Sequence, residues 1–570
     1  MKYILSLVCA VLVAVNTFSQ APQVIETAPI SQSMVTAPSD PITIVFDQPI
    51  NIATITQNTF LVYGRWSGPM QGTFSFNSSS TEVKFIPVRD FFYGEWIRVQ
   101  LTTGIQNTTG MPLANGYGFN YWTKSLPASL DLTYGGQIDM RLAGEGEITC
   151  YGAYAGDVNN DEFSDLVVVT EDSDDIRVLL SDGSTNYDPF IVIELPPGQG
   201  PSTNEGADFN HDGLIDIAIG STYSDQVNVL MGDAVTLFGS QTNYQTGMQV
   251  RGLTVADFNG DGWDDIATAN RVDSTISILI NDGTGLFEPA VSFDAGVDGE
   301  SSIASTDLNN DGYMDLLVAA YASNMLVSLL NDGTGNFTVS DTVTSNGGPW
   351  MMAIGDVNGD GFVDIAVANS LTHNIAIIRT DGSGGMEFDS YYAADTFPVA
   401  IDLGDVDGDG DLDFISSNVT ASNYTLMEND GTGNFMNPRI YPSPEGSACA
   451  IIHDRNNDGM MDITMIDEAA DVVLLYNNSP ALSNDEPETD FDLTLYPNPF
   501  NNTIFVNGTI LDSTKLVLYD VHGRQLLSQY LGNSRQFDIS NVGLSEGIYI
   551  AELFQNGKSQ KIKMYKTSIK

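Results

Sequence analysis

The sequence predicts an all-β protein in which a seven-bladed β-propeller lies between two smaller β-sandwich domains. Three observations predict this architecture: an acidic nine-residue loop occurs seven times, its copies start 49–51 residues apart, and each copy precedes a short strand-like segment. A period of about 50 residues that holds four strands is typical of a propeller blade. The chain of 570 residues is long enough for several domains.

The composition favours cation binding. The chain carries 74 acidic and 21 basic residues and has a formal net charge of −53. We expect no nucleic-acid partner, because binding to phosphates needs a basic surface that this sequence lacks. Hydrophobic residues make up 42% of the chain, which indicates packed cores and argues against disorder.

The first 20 residues have the pattern of a secretory signal peptide. Lys2 precedes an apolar stretch at 3–15, which is followed by small and polar residues. We predict an exported protein, and no other segment is apolar enough to cross a membrane. Removing the leader leaves Cys150 and Cys449, so disulfide bonds are not the main stabilising element.

The repeated loop has the chemistry of a calcium site. Its copies are "DVNNDEFSD" (157–165), "DFNHDGLID" (208–216), "DFNGDGWDD" (257–265), "DLNNDGYMD" (307–315), "DVNGDGFVD" (356–364), "DVDGDGDLD" (405–413) and "DRNNDGMMD" (454–462). Alternating acidic oxygens with Gly at position 6 suit a loop that wraps around a hard cation. An EF-hand would need Glu at position 12, where these loops have Val, Ile, Thr, Ser or Met. Because strands flank the loop, we predict a calcium-binding hairpin.

We predict up to seven structural Ca²⁺ ions, each bound by side chains at positions 1, 3, 5 and 9, the carbonyl of position 7 and water. The predicted side-chain ligands are Asp157, Asn159, Asp161, Asp165, Asp208, Asn210, Asp212, Asp216, Asp257, Asn259, Asp261, Asp265, Asp307, Asn309, Asp311, Asp315, Asp356, Asn358, Asp360, Asp364, Asp405, Asp407, Asp409, Asp413, Asp454, Asn456, Asp458 and Asp462. Without a cation these carboxylates would repel one another. The alternative is a set of acidic turns that bind nothing. The first loop is the weakest candidate, because Glu162 replaces the Gly that the sharp turn favours.

The sequence also predicts how the ring closes. The seventh repeat ends after its third strand, "DVVLLYNN" (471–478), while a spare strand, "LDLTYGGQIDMRL" (130–142), precedes the first repeat. Pairing these two segments would complete blade 7 and remove two exposed edges. Blades 1 and 7 would then be neighbours, so Cys150 and Cys449 would lie on adjacent inner strands. We expect two buried thiols, with a bond between them as the alternative.

The run "GDVNGDGFVDIAVAN…DGSGGM" resembles the FG-GAP or VCBS repeat family, which is related to the integrin α-subunit propeller. The resemblance implies a calcium-binding propeller, which we assign to residues 127–478. It says little about function, because the family includes adhesins, binding scaffolds and some polysaccharide lyases.

The flanking segments resemble two other kinds of domain. Residues 21–126 contain strand-like runs such as "PITIVFDQPI", "TFLVYG" and "WIRVQLTTGI", and their order resembles bacterial Ig-like domains of surface-layer and cell-wall proteins. Such a domain is a spacer or a ligand-binding module.

A linker at 479–492 leads to residues 493–570, where "YPNP", "YDVHGRQL", "GLSEGIYI" and a lysine-rich end resemble the C-terminal sorting domain of type IX secretion. That resemblance implies the type IX machinery as a partner and export through the periplasm of a Gram-negative bacterium to the medium or the outer cell surface. The alternative is an ordinary Ig-like terminal domain.

The propeller geometry indicates where a ligand would bind. Calcium hairpins and "DGTG" turns belong to one face, and the loops between blades and the turns between second and third strands belong to the other. On that second face we expect Trp350, Phe397, Arg271, Tyr321 and His373, which suit contacts with sugar or protein, or else are ordinary loop residues. The four histidines lie in no catalytic or zinc spacing. We therefore predict a non-enzymatic adhesion or glycan/protein-binding module, with a polysaccharide-degrading enzyme, lyase more than hydrolase, as the alternative.

Overall fold

A computed structural model of the protein describes residues 20–184 and 186–480, and in the C-terminal part the strands and some adjoining positions between 494 and 566. The chain divides into two units, residues 1–481 and 482–570. The predicted signal peptide, except Gln20, and most of the predicted linker lie outside the described residues.

The N-terminal domain is a β-sandwich. Its elements are β1 (Val24–Ala28), β2 (Ile42–Phe46), a 3₁₀ helix (Ile52–Thr54), β3 (Phe60–Gly64), β4 (Gly68–Pro69), β5 (Gly72–Phe76), β6 (Glu82–Pro87), β7 (Trp96–Leu101) and β8 (Tyr117–Trp122). One sheet has the order β1-β2-β6-β5 and the other β4-β3-β7-β8. Alternate residues of β2 and β3 are buried, and they pack into one core that both sheets share. The predicted fold class of this domain is confirmed.

The strands of the central domain follow in chain order. The strand before the first loop is β9 (Thr133–Asp139). Blade 1 contains β10 (Cys150–Gly156), β11 (Asp165–Thr170), β12 (Asp175–Leu179) and β13 (Ile191–Glu194), and blade 2 contains β14 (Pro201–Ala207), β15 (Asp216–Ser221), β16 (Gln226–Asp233) and β17 (Leu237–Gln245). Blade 3 contains β18 (Val250–Ala256), β19 (Asp265–Asn270), β20 (Thr275–Leu279) and β21 (Val291–Phe293), and blade 4 contains β22 (Glu300–Thr306), β23 (Asp315–Ala320), β24 (Met325–Asn331) and β25 (Phe337–Thr344). Blade 5 contains β26 (Pro349–Gly355), β27 (Asp364–Asn369), β28 (Asn374–Thr380) and β29 (Met386–Ala393), and blade 6 contains β30 (Pro398–Gly404), β31 (Asp413–Asn418), β32 (Asn423–Glu428) and β33 (Met436–Pro442). Blade 7 contains β34 (Ser447–His453), β35 (Asp462–Asp467) and β36 (Val472–Asn477).

These strands form a closed ring of seven four-stranded antiparallel sheets within the described residues. The first strand of each sheet contacts the first strand of the next, and β34 of the last sheet contacts β10 of the first. The fourth strand of blade 7 is β9, which pairs with β36 through Val472↔Asp139 to Asn477↔Thr133. The predicted closure is therefore confirmed. The second strands, such as β27, are buried on both faces because neighbouring blades pack against each side.

The two cysteines of the propeller are free thiols on the adjacent strands β10 and β34. Cys150 is buried, and burial raises the pKa of both thiols, that of Cys449 to about 12.

We expect an alkylating reagent at neutral pH to leave both thiols unmodified in the folded protein and to modify both after denaturation without reductant, since only the thiolate reacts. Mass spectrometry checks this. Failure to alkylate either thiol in the denatured, unreduced protein would indicate the bonded alternative.

The C-terminal unit also consists of two sheets. Its strands are β37 (Thr494–Tyr496), β38 (Thr503–Asn507), β39 (Lys515–Tyr519), β40 (Gln525–Tyr530), β41 (Gln536–Asp538), β42 (Gly547–Gln555) and β43 (Lys558–Lys566). The sheet orders are β37-β38-β41 and β40-β39-β42-β43. Ile504 and Val506 of the first sheet share a buried cluster with Leu516 and Leu518 of the second, as a β-sandwich requires.

Candidate metal loops and the open face of the propeller

Each acidic loop connects the inner strand of a blade to its second strand, and its tight path depends on left-handed backbone positions. In the fifth loop Gly359 and Gly361, at positions 4 and 6, have φ values of 75° and 86°. Glycine adopts such angles without steric cost. In the first loop Glu162 takes the same conformation at position 6 with φ 70°, so this loop keeps its shape at the cost of backbone strain.

Backbone N–H groups orient the side-chain oxygens toward the inside of each loop. In the fifth loop Asp356 accepts hydrogen bonds from the N–H groups of Asp360 (3.2 Å) and Gly361 (2.7 Å). The side-chain oxygen of Asn358 accepts from the Asp360 N–H at 2.8 Å, and Asp360 accepts from the Phe362 N–H at 2.9 Å. The same turn brings together positions 1, 3 and 5 of the predicted ligand set.

The aspartate at position 9 joins the loop to the end of the third strand. In the fifth loop Asp364 accepts from the N–H groups of Val357 (3.3 Å) and Thr380 (3.4 Å). Loops 1 to 6 all have this double contact, from the residue at position 2 and from a residue 16 positions after the aspartate. Each position-9 carboxylate is therefore fixed and buried.

Burial makes the ionised form of these carboxylates costly. Desolvation, together with repulsion from neighbouring aspartates of the same loop, raises the pKa of the position-9 residues Asp165, Asp216 and Asp364 to about 8. At position 1, burial raises the pKa of Asp208 and Asp454 to about 7. A divalent cation inside the loop would reverse this effect, because an opposite charge nearby favours the ionised form.

The sixth loop has the densest group of carboxylates. Carboxylate oxygens of Asp405, Asp407 and Asp409 lie within 4.8 Å of one another. One oxygen of Asp405 and one of Asp411 are buried without a hydrogen-bond partner. The Asp411 side chain was not among the predicted metal ligands, because position 7 was expected to contribute only its backbone carbonyl. An acidic residue at position 7, present in this loop alone, was the signal that could have identified it.

Arginine side chains approach the first and seventh loops. The guanidinium of Arg89, from the N-terminal domain, lies 3.1 Å from a carboxylate oxygen of Asp157, which is fully buried. In the seventh loop Arg455 lies 3.6 Å from Asp462, and both side chains are fully buried. These two loops therefore already contain a positive charge.

The N-terminal domain covers the face of the ring that carries the acidic loops. Hydrogen bonds connect it, or the segment that follows it, to five of the loops. The Asp157 N–H donates to Trp66 O (2.7 Å), and the Gln100 side-chain amide donates to Asp257 Oδ2 (2.5 Å). Three backbone N–H groups donate to loop carbonyls: Gly118 to Gly312 (3.0 Å), Leu126 to Gly459 (2.8 Å) and, in the connecting segment, Ala128 to Asp407 (2.7 Å). Three of the contacted residues, Asp157, Asp257 and Asp407, are predicted metal ligands. The sequence could not predict this docking, because it joins residues that are far apart in the chain.

A central cavity of about 240 Å³ runs between the inner strands of the propeller. The N-terminal domain closes the loop side of the cavity, where Arg65 pairs with Asp402 at 3.3 Å and the Tyr63 hydroxyl lies 3.1 Å from that of Tyr154. On the opposite side the indole N–H of Trp350 donates to the Tyr151 hydroxyl at 3.2 Å. Any large ligand must therefore bind outside the cavity, on the face opposite the acidic loops, which we call the open face.

Four of the five residues predicted for the open face form one cluster. The guanidinium carbon of Arg271 lies 4.5 Å from the ring centre of Trp350 and 4.7 Å from that of Tyr321. The ring centres of Trp350 and Phe397 are 6.1 Å apart. The fifth residue, His373, supports the cluster, because its Nδ1 accepts the backbone N–H of Phe397 at 3.1 Å.

Two residues that were not predicted from the sequence, Tyr151 and Arg251, complete this face. The guanidinium carbon of Arg251 lies 5.2 Å from the ring centre of Tyr151, and Arg251 pairs with Glu171 at 3.4 Å. Both residues occur six positions before the first aspartate of a loop, as does Trp350. Comparing that repeat position across the seven blades would have identified them.

Family models match three parts of the chain. A bacterial Ig-like domain matches residues 19–123, and a secretion system C-terminal sorting domain matches residues 494–567. The FG-GAP-like repeat model matches residues 157–219, 208–268, 257–318, 307–367, 356–416 and 405–465.

A propeller ring with an Ig-like sandwich and a sorting domain defines a secreted β-propeller protein of several domains, located in the medium or at the outer cell surface. The repeat matches span more than half of the chain, which belongs to the FG-GAP-like repeat family. The sorting domain implies an interaction with the secretion machinery, and the described residues contain no helix of the length and apolarity needed to span a membrane.

Similar solved structures share little sequence with this chain. Virginiamycin B lyase from Staphylococcus aureus is 14% identical, with 60% of this chain and 98% of that chain covered and a TM-score of 0.41. BBS1N in complex with ARL6DN is 11% identical, with coverages of 62% and 98% and a TM-score of 0.45. An Agrocybe aegerita lectin that recognises non-reducing terminal N-acetylglucosamine is 16% identical, with coverages of 76% and 99% and a TM-score of 0.38. No curated protein matches the chain.

Proposed function

We propose that this secreted propeller is a calcium-stabilised, non-enzymatic binding module for an extracellular glycan or protein. The observation that carries the proposal is the difference between the two faces of the ring. One face contains the buried carboxylate loops and is covered by the N-terminal domain, whereas the open face presents a cluster of aromatic and cationic side chains. The protein would thus use one face for stability and the other for recognition.

The donor atoms of the loops fit calcium. The predicted ligands are carboxylate and amide oxygens, which hard cations prefer, and no sulfur or imidazole is among them. In the sixth loop the orphaned oxygen of Asp405 lies in a buried position where a cation would satisfy it. Bound calcium would supply positive charge to carboxylates that otherwise repel one another, and the loop residues themselves hold those carboxylates in place.

We expect calcium to fill the seven loops unequally. The sixth loop should bind most tightly, because it has the most carboxylates, and the first and seventh most weakly, because Arg89 and Arg455 already offset part of their charge. Titration calorimetry of the metal-free protein should find about five tight sites. Arg89→Met should tighten one of the remaining sites, whereas Arg379→Met, at an arginine that pairs with Asp389 outside the loops, should change nothing. Seven equal sites, or an unchanged isotherm for Arg89→Met, would contradict this expectation.

The binding role is tested by exposing the full-length protein to arrays of glycans and of extracellular proteins, in calcium and in chelator. We expect calcium-dependent capture without turnover, and we expect substitutions on the open face to reduce it. Capture that survives every open-face substitution, or that needs only the C-terminal domain, would overturn the proposal. Product release from the captured glycan would favour an enzyme.

Among the described residues, a Ser–His hydrogen bond invites comparison with a catalytic pair, but its surroundings do not favour catalysis. Ser164 Oγ lies 2.9 Å from His453 Nδ1, but both residues are fully buried, and burial lowers the pKa of His453 to about 3. No substrate can reach this pair without unfolding, so its role is to join blades 1 and 7.

A further inference from the structure

The cluster on the open face holds a guanidinium in a fixed orientation. Arg271 extends from the turn between β19 and β20, Tyr321 from the turn between β23 and β24, and Trp350 from the start of β26. The rings of Tyr321 and Trp350 meet edge to face at 5.3 Å between centres, and the guanidinium lies against both. Such cation–π contacts fix the plane of the guanidinium and leave its N–H groups at the edge free to donate.

Arg271 has no acidic partner among the residues that the structure describes, although the chain has far more acidic than basic side chains. The nearby Arg251 pairs with Glu171, but its Nε and Nη1 are buried without hydrogen-bond partners. Burial, followed by repulsion from Arg251, lowers the pKa of Arg271. Two neighbouring guanidinium groups with unused donors form a local positive centre on a strongly acidic protein.

We propose that Arg271, Tyr321, Trp350 and Phe397 form the subsite for the carboxylate of a single acidic sugar residue. The planar fork of arginine suits two parallel hydrogen bonds to a carboxylate. The half-buried rings beside it offer apolar surface to the C–H face of a sugar ring. This inference rests on the proposed binding function and adds to it the place and the chemical class of the ligand.

The charges around the subsite favour one terminal acidic residue over the interior of a polyanion. Glu171 and Glu468 border Arg251 on the same face, and the whole chain has a formal charge of −53. A ligand with many carboxylates would meet these groups and the overall negative field. A single carboxylate can contact Arg271 without such repulsion. An acidic peptide could also offer one carboxylate, but it lacks the rigid ring that three aromatic side chains suit.

The test is a calorimetric titration of the full-length, calcium-loaded protein with methyl glucuronide, methyl glucoside and a short glutamate-containing peptide. We expect the glucuronide to bind at least about tenfold more tightly than the glucoside, since charged hydrogen bonds are strong. Arg271→Met should remove this preference and leave the weak binding of the glucoside unchanged. Arg271→Lys, which keeps the charge but not the fork, should retain part of it. Arg379→Met, at an arginine that pairs with Asp389 on outer strands, is the matched control and should behave like the wild type.

Three results would overturn this inference: equal affinity for the two sugars, an unchanged preference in Arg271→Met, or tighter binding of the peptide than of the glucuronide. Thermal melting of each variant separates loss of binding from loss of folding, and Arg271→Lys decides the matter if the Met variant does not fold. If the arrays show calcium-dependent capture of ligands without carboxylates, this inference fails while the proposed function stands. If the arrays show no capture, both fail.

Discussion

Removing calcium is expected to lower the melting temperature of this protein by about 10 °C or more. In calcium at ten times Kd, each filled loop would contribute about 1.4 kcal/mol, so five to seven loops together would contribute about 7 to 10 kcal/mol. In chelator the buried carboxylates must either take up protons or repel one another. Burial already raises the pKa of Asp165 and Asp364 to about 8.

Circular dichroism melting with and without excess EGTA checks this expectation, together with elemental analysis of the purified protein. Readdition of calcium should restore the melting temperature, and magnesium, which prefers a smaller octahedral site, should not. The double variant Asp356→Asn, Asp360→Asn should reproduce part of the loss, whereas Asp332→Asn, in an exposed turn outside the loops, should not. An unchanged melting temperature in chelator and a protein without metal would refute the structural role of calcium.

Replacing Trp66 by alanine is expected to destabilise the N-terminal domain and propeller by about 3 to 5 kcal/mol. Trp66 is 1% exposed and belongs to a buried cluster that includes Met140, Cys150 and Met461 of the propeller. Its ring lies edge-on to Phe92 at 6.5 Å and to His453 at 6.3 Å. The truncation would leave a large void between the two domains and remove one of their apolar contacts.

Trp66→Phe is the matched control for this prediction. The indole N–H of Trp66 has no hydrogen-bond partner, so phenylalanine removes ring volume but no hydrogen bond. It should therefore cost clearly less than alanine. Urea unfolding followed by circular dichroism measures both variants, and limited proteolysis should cut the connection near residue 126 faster in Trp66→Ala. Equal stability of wild type and Trp66→Ala would show that the contact between the domains is not important for folding.

The sequence predicted the features that depend on local chemistry. The spacing of the loops determined the blade length, and the strand missing from the seventh repeat determined the closure by β9. Gly361 and its equivalents indicated a sharp turn, and in the structure Gly361 has a left-handed φ of 86° there. That the loops bind calcium is still a prediction, as is the relation to the integrin α-subunit propeller.

Other features depend on residues that are distant in the chain, and the pattern within a single repeat does not predict them. Tyr151 and Arg251 were not predicted because their contacts join different blades of the ring. The Tyr151 hydroxyl, for example, accepts a hydrogen bond from Trp350, which is 199 positions away in the chain. Asp411, by contrast, was missed although it lies within a loop. Arg89 lies 68 positions from Asp157, yet its guanidinium offsets part of the negative charge of the first loop.

By itself, the sequence determined the repeat, the number of strands in each blade, the aspartates at positions 1, 5 and 9 of every loop and the export route, because hydrophobic alternation, turn residues and sorting motifs act over a few neighbouring positions. Only the tertiary structure decided that the N-terminal domain covers the acidic loops and that Arg271, without an acidic partner among the described residues, lies against Trp350 on the opposite face. Those arrangements follow from the packing of surfaces formed by many separate segments, and their energies depend on shape and burial that exist only once the ring has closed.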